Sequence, residues 1–456
     1  MTGSASSSTS QFGPAEGRIL VRGAKVLGGE AQDILVVDGL IAEVAPAGSL
    51  EAGEGARVIE AEGLVALPGF VDLHTHLREP GKEAAETVLT GTQAAAKGGY
   101  TAVFAMANST PVADSAGVVE QVFTAAKNAG WAEVRPVGAV TKGLAGAQLA
   151  DLGAMADSRA QVRMFSDDGM CVHDAAIMRR ALEYVKAFDG FVAQHAQEPR
   201  LTEGAQMNEG EMSATLGLPG WPAVAEEAII ARDVLLADHV GSRLHVCHVS
   251  TAGSVEIIRW AKERGIAVTA EVTPHHLLLT DELVESFNPV YKVNPPLRTS
   301  KDVHALRQAV ADGVIDVIGT DHAPHTESSK SCEWSQAAMG MTGLETALSV
   351  VVASLVETGL AGWDRVAEIM STTPARIGGL ADQGQPLEAG SAANIVLVDP
   401  SASRTIDAAA MATKGRNSPF HGMTLPAAVV ATIFHGHPTV LDGELATAHP
   451  ASGGRA

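Results

Sequence analysis

Gly69-Phe70-Val71-Asp72-Leu73-His74-Thr75-His76-Leu77-Arg78-Glu79-Pro80 is the stretch on which the fold turns. Its first five residues are apolar and β-prone, as a buried strand requires. His74 and His76 follow at the carboxyl end. Residues i and i+2 of a strand share a face, so both imidazoles project to one side. Two neutral imidazoles converging on a point suit a divalent metal. Taken alone, the pair would equally suit two hydrogen-bonded core histidines; the rest of the chain separates the two cases.

Outward from that stretch, between Leu67 and Gly384, strand-like runs alternate with Ala/Glu/Arg-rich helical ones. The strands are expected at Gly69–Leu73, Thr101–Met106, Val134–Val140, Val162–Phe165, Gly190–Gln194, Arg243–Cys247, Ala267–Val272 and Val314–Gly319. Helices are expected at Glu83–Gly98, Ala175–Phe188, Ala223–Asp238 and Ser254–Arg264. Such alternation predicts an α/β fold, a (β/α)8 TIM-type barrel whose chemistry sits at the carboxyl ends of the strands. Polar, metal-competent residues stand at those ends: His74 and His76, Asp167-Asp168, His195, His248 and Asp321. Five coincident placements are hard to explain as satisfied core residues. His245, three positions before His248 on an alternating strand, should face the other way and belong to the core.

Four imidazoles with two carboxylates suit two Zn²⁺-type ions about 3.5–4 Å apart, bridged by a carboxylate and a hydroxide. Zinc lowers the pKa of bound water from about 15.7 toward 7. Asp321, at the last strand, would take the proton as hydroxide attacks a carbonyl and deliver it to a leaving amide nitrogen. The residues by themselves therefore point to metal-assisted hydrolysis of an amide-like bond. Spacing does not separate Asp167 from Asp168.

Short β-branched runs broken by Gly fill Arg18 to Ala66 and return near the end, as at Ala393-Asn-Ile-Val-Leu-Val-Asp and Ala428-Val-Val-Ala-Thr-Ile-Phe. The expected organisation is a disordered tail over 1–15 and a small composite β-sandwich domain of antiparallel strands from 16–66 and 385–446. The barrel takes 67–384, and 447–456 form a C-terminal tail. The net charge of −21 disfavours nucleic acid and anionic membrane as partners. Cys171, Cys247 and Cys332 are scattered, with no Cys-x-x-Cys, so neither disulfides nor a thiolate metal site is indicated and a reducing cytoplasm fits. No apolar run reaches membrane-span length, and the Ser/Thr-rich start lacks the apolar core of a signal peptide. Walker A and G-x-G-x-x-G patterns are absent.

The pattern Val71-Asp-Leu-His-Thr-His, with later single histidines and a terminal Asp, resembles the amidohydrolase superfamily. More narrowly, six segments resemble class I dihydroorotase: His74-Thr-His-Leu-Arg-Glu-Pro-Gly, Phe165-Ser-Asp-Asp-Gly, His245-Val-Cys-His-Val-Ser-Thr, Glu271-Val-Thr-Pro-His-His, Tyr291-Lys-Val-Asn-Pro-Pro-Leu-Arg and Thr320-Asp-His-Ala-Pro-His-Thr. The resemblance implies reversible cyclisation of N-carbamoyl-L-aspartate to L-dihydroorotate, the third step of de novo pyrimidine (UMP) biosynthesis. It also implies two zinc ions per subunit and a homodimer, and it allows an association with aspartate carbamoyltransferase. Carried over, the metal ligands fall on His74, His76, Asp168, His195 and His248, with Asp321 as ligand and catalytic acid/base. Substrate contacts fall on Arg78, Asn108, Asn294, His325, Met339 and Gly340. Arg78 offers a planar fork for a carboxylate, Asn108 an amide donor, Asn294 a partner for a ring amide, and His325 a donor to the carboxylate.

Hydantoinase and allantoinase relatives bridge their metals with a carbamylated lysine from the fourth strand. Here no lysine lies between Lys142 and Lys186, so the bridge is expected from Asp168, the family position. Two departures stand out: Ala107 where the family shows Pro, and Met339 where Phe is common. The Ser-rich segment 327–333 reads equally as a mobile loop over the site or an ordinary surface loop. His275, His276 and His322 are expected either to support the ligands from behind or to be structural. A catalytically inert scaffold would lack ligands, and none is missing.

Overall fold

A computed structural model describes residues 11–450. Three parallel strands, Phe70–Thr75, Tyr100–Ala105 and Glu133–Pro136, form one sheet. Five more form a second, in sequence order: Met164–Phe165, Phe191–Gln194, Leu244–Val246, Val268–Val272 and Val317–Ile318. Single parallel bridges lie beyond the outer strands of both sheets, Gly138 with Phe165 and Thr75 with His322. The strands fall on the expected apolar runs, but the third to the eighth are shorter, the third and the eighth most of all. The third ends at Pro136, which has no N–H for a ladder, and beyond it the N–H groups of Val140 and Thr141 donate to the Asp167 carboxylate. The eighth stops at Ile318, and the Thr320 N–H donates to Asp72 Oδ1 at 3.1 Å.

Helices alternate with these strands, and four of them start on side-chain caps: Thr87, Asp174, Thr251 and Thr299 each accept from a backbone N–H of the first turn. The helix Ala175–Val185 buries Met178, Ala181, Leu182 and Val185, one apolar stripe at helical spacing.

Both flanks of the chain contribute to one nine-stranded sheet. The join is antiparallel, Val65–Pro68 against Ile395–Val398. The expectation of purely antiparallel pairing fails at two places, because Arg18–Val26 pairs in parallel with both Arg57–Glu60 and Val65–Pro68. Alternate residues serve two cores. Ile19, Val21, Ile34, Ala66, Ile395 and Leu397 pack among themselves, whereas Leu67, Val396 and Val398 turn toward the core shared with the parallel strands.

Of the expected tails, residues 1–10 and 451–456 lie outside the described residues. Gln11 and Phe12, inside the expected N-terminal tail, are buried. The Gln11 amide donates to Val134 O at 2.8 Å, and the Phe12 ring packs edge-on against Phe434 at 5.0 Å and His449 at 5.6 Å. Burial of one aromatic ring outweighs its polar neighbours in sequence. Among the described residues, no helix is long and apolar enough to cross a membrane.

Candidate metal centre

Asp72 sets the site's frame. Its carboxylate accepts from His74 N at 3.0 Å, Thr320 N at 3.1 Å and Thr320 Oγ1 at 2.5 Å, lashing the first strand to the end of the eighth. Burial pushes this carboxyl up to about 7. Because Asp72 holds both strand ends, His74, His76 and Asp321 converge although about 245 residues separate them.

His74, His76, Asp168, His195, His248 and Asp321 all meet at the carboxyl ends of the parallel strands, none more than 5 % exposed. Asp168 is central. Its Oδ1 lies 3.3 Å from His74 Nε2 and 3.2 Å from both His195 Nδ1 and His248 Nε2, and its Oδ2 lies 3.2 Å from His76 Nε2. Asp321 Oδ1 stands 2.9 Å from His76 Nε2 and 3.5 Å from His74 Nε2. Ligand atoms of His74, His76 and Asp168 lie within 4.8 Å of one another, and so do those of Asp168, His195 and His248. Two triads thus share one carboxylate. His74 Nε2 is buried without a hydrogen bond. A buried imidazole nitrogen so placed, facing two carboxylates, fits a divalent cation.

Electrostatics agree with that donor set. Burial alone would raise the Asp168 carboxyl, but the facing imidazoles of His74, His195 and His248 hold it well below the usual range. Burial likewise opposes ionisation of Asp321, and His74 and His76 outweigh it, bringing the carboxyl down to about 2. Asp167 lies apart from the triads. It accepts from the N–H groups of Val140 and Thr141 and from the Thr141 hydroxyl, a strand-end tie.

Substrate-contact candidates surround this centre with mixed outcomes. Arg78 has a left-handed backbone (φ 61°), and its Nε donates to Pro324 O at 3.1 Å. Asn108 accepts from His76 Nδ1 at 2.9 Å through Oδ1, so its carbonyl orients the His76 ring. Asn294 Nδ2 donates to Gln197 Oε1 at 3.1 Å, and its buried Oδ1 has no protein partner. His325 departs from expectation. Its Nε2 donates to Met339 O at 2.9 Å, and burial with the Arg78 charge pushes its pKa down to about 3. A neutral ring donating there presents Nδ1 as an acceptor, not the expected donor. Gly340 (φ 148°) leaves no room for a side chain, since a Cβ would stand 2.7 Å from His325 Nε2. Met339 packs against Ala205, Trp221 and Ala225.

The supporting histidines behave variously. His322 accepts from Gly343 N at Nδ1 and faces Glu86 Oε2 across 3.4 Å. His276 Nε2 donates to Pro296 O, and the His275 ring lies against it, tilted by 47° with centroids 4.6 Å apart. His245 is buried as expected, yet its Nε2 stands 3.2 Å from Glu271 Oε2. Segment 327–333 opens as a short helix, Glu327–Lys330, pinned by Lys330 Nζ to Pro289 O and Lys292 O at 2.9 Å each.

Sequence reasoning missed two residues. Glu271 Oε1 stands 2.5 Å from His74 Nδ1, and Gln197 Oε1 stands 2.7 Å from His195 Nε2. For Glu271 a signal existed, a lone carboxylate inside the apolar strand Val268–Val272. Gln197 lies in a polar loop and carried none.

A family model described as Dihydro-orotase-like matches residues 63–254. The chain is 65% identical over 428 residues to the dihydroorotase of Streptomyces coelicolor, covering 94% of this chain and 99% of that one. It is 56% identical over 428 residues to the dihydroorotase of Mycobacterium tuberculosis, with 94% and 99% covered. Among solved structures, the L-hydantoinase (dihydropyrimidinase) of Arthrobacter aurescens matches with a TM-score of 0.83 at 26% identity, covering 94% and 97%. With strand-end imidazoles and carboxylates gathered around Asp168, and identity of this extent running nearly end to end, the chain belongs to the dihydroorotase family of cyclic amide hydrolases.

Proposed function

We propose that this protein catalyses the reversible cyclisation of N-carbamoyl-L-aspartate to L-dihydroorotate, the third step of de novo UMP synthesis. The observation that carries the reading is the pair of buried triads sharing Asp168. The same reading closes the eight parallel strands into a (β/α)8 barrel spanning 67–384, supported by the Gly138–Phe165 and Thr75–His322 bridges at both seams. The flanks 16–66 and 385–446 then act as one β domain.

His74, His76 and Asp168 would hold one cation and His195, His248 and Asp168 a second, with Asp321 as a further ligand; an N/O donor set of this kind favours Zn²⁺. Bound there, zinc supplies Lewis acidity and lowers the pKa of water. The chain's own residues do the rest. In ring opening, Asp321 accepts the proton of the attacking water and returns it to the amide nitrogen as the C–N bond breaks. Cyclisation runs the same transfers in reverse. Arg78, whose Nε is anchored on Pro324, turns its remaining N–H groups to the substrate carboxylate. Asn108 and Asn294 flank the ring, and burial of all six ligand residues excludes bulk water. A homodimer, cytoplasmic location and association with aspartate carbamoyltransferase belong to this proposal on family resemblance.

A hydantoinase-type activity is the second reading, favoured by the similarity in fold. The absence of lysine between Lys142 and Lys186 counts against it. Metal analysis together with an ultraviolet assay on L-dihydroorotate decides. Turnover of dihydroorotate with bound zinc is expected, whereas turnover of hydantoin or allantoin alone would replace the proposal.

A further inference from the structure

The hydrogen bonds around Gln197 form a chain in which each link fixes the next. Thr202 has one hydroxyl proton, given to main-chain carbonyls, Glu198 O at 3.1 Å and Pro199 O at 3.4 Å. Toward Gln197, 2.8 Å away, that hydroxyl can only accept, so the Gln197 NH₂ faces Thr202. The Gln197 carbonyl Oε1 therefore faces the other way. There it meets His195 Nε2 at 2.7 Å and Asn294 Nδ2 at 3.1 Å, and both must donate to it. Two consequences follow. His195 carries its proton on Nε2, which leaves the Nδ1 lone pair beside Asp168 Oδ1 (3.2 Å) and His248 Nε2 (2.9 Å). Asn294 spends an N–H on Gln197, which leaves its buried Oδ1 as the free end of the amide.

We propose that Gln197 is a positioning residue whose one amide oxygen sets both the ligating nitrogen of His195 and the acceptor face of Asn294, coupling metal binding to recognition of a substrate N–H. Both L-dihydroorotate and N-carbamoyl-L-aspartate carry amide N–H groups and offer Asn294 Oδ1 a donor. The inference rests on the dihydroorotase reading for the substrate, but its metal arm does not. Thr202 is the remote anchor, acting only through the orientation of Gln197.

The test compares Gln197→Leu, which cannot accept a hydrogen bond, with Gln197→Glu, which can. Zinc affinity of the full-length protein is measured by chelator competition, and KM and kcat are measured on L-dihydroorotate. Gln197→Leu should weaken zinc binding about tenfold, the usual scale for losing the partner of a ligand histidine. It should raise KM at the same time. Gln197→Glu should restore zinc affinity to within about threefold of wild type. In an Asn294→Ala background, Gln197→Leu should add little to KM, because the two act on one contact. Wild-type zinc affinity in Gln197→Leu, equal loss in Gln197→Glu, or additive KM effects would each overturn the proposal. Should Gln197→Leu fold poorly, Thr202→Val frees Gln197 to flip and should reproduce the zinc defect; normal zinc binding there would overturn it too. A wild-type protein that binds zinc but leaves dihydroorotate untouched would count against the dihydroorotase reading and leave the metal arm standing.

Discussion

His74 Nδ1 and Glu271 Oε1 stand 2.5 Å apart, although 197 residues separate them in the chain. Glu271 also accepts from His248 N at 3.2 Å and faces His245 Nε2 at 3.2 Å. Gly319 makes room for it, because a Cβ there would lie 2.4 Å from Glu271 Oε2. The carboxylate keeps the His74 proton on Nδ1 and so directs Nε2 toward Asp168 and Asp321. Glu271→Gln should therefore weaken zinc binding about 10- to 100-fold. Chelator competition measures it, and unchanged affinity would show that Glu271 only fills space.

Asp321→Asn removes the proposed proton acceptor and leaves the other five proposed ligands in place. Turnover should fall about 10²- to 10⁴-fold while most zinc is retained. Atomic absorption and the dihydroorotate assay on the same preparation give both numbers. Activity close to wild type would take Asp321 out of the proton transfer.

Arg78 is tethered by Nε to Pro324 O, which leaves its terminal N–H groups to bind an anion. Lysine can supply the charge but not the planar fork. Arg78→Lys should raise KM for dihydroorotate by roughly tenfold or more, the scale of one charge-assisted hydrogen bond. An unaltered KM would place the carboxylate elsewhere.

Lys330 is buried, and desolvation together with the neighbouring Lys292 charge lowers its pKa from 10.5 to about 7. Between those values the unfolded chain holds the proton more tightly than the folded one. Stability should therefore climb as pH rises from 7 toward 10.5, and the penalty is complete below 7. Lys330→Met removes the effect. Urea midpoints at pH 7 and pH 9 should differ more in wild type than in the variant, and equal differences would refute the assignment.

Phe12 fills a slot between Phe434 and His449, joining the two ends of the described chain. Phe12→Ala should cost about 3 kcal/mol of stability, as a buried ring usually does. Denaturant unfolding checks it; a loss under about 0.5 kcal/mol, the scale of a surface change, would mean the ring is not anchored.

Much of the site was legible because strand chemistry is local. His74 and His76 share a face through a two-residue period, and each later ligand follows its own apolar run. Preference for Asp168 over Asp167 came from resemblance, since adjacent carboxylates look alike in sequence. The fold separates them by giving Asp167 to the backbone of Val140 and Thr141. His325 Nε2 finds its partner in a main-chain carbonyl, Met339 O, which no side-chain pattern announces.

By itself, then, the chain's order of apolar and polar residues determined the alternating strands and helices and the imidazoles and carboxylates at their ends. Tertiary structure alone decided which ring nitrogen of His74, His195 and His76 meets Glu271, Gln197 and Asn108, and tied the first strand to the eighth through Asp72. Periodicity is written between neighbours along the chain. A hydrogen-bond partner across hundreds of residues exists only once the backbone has brought two strand ends within about 3 Å.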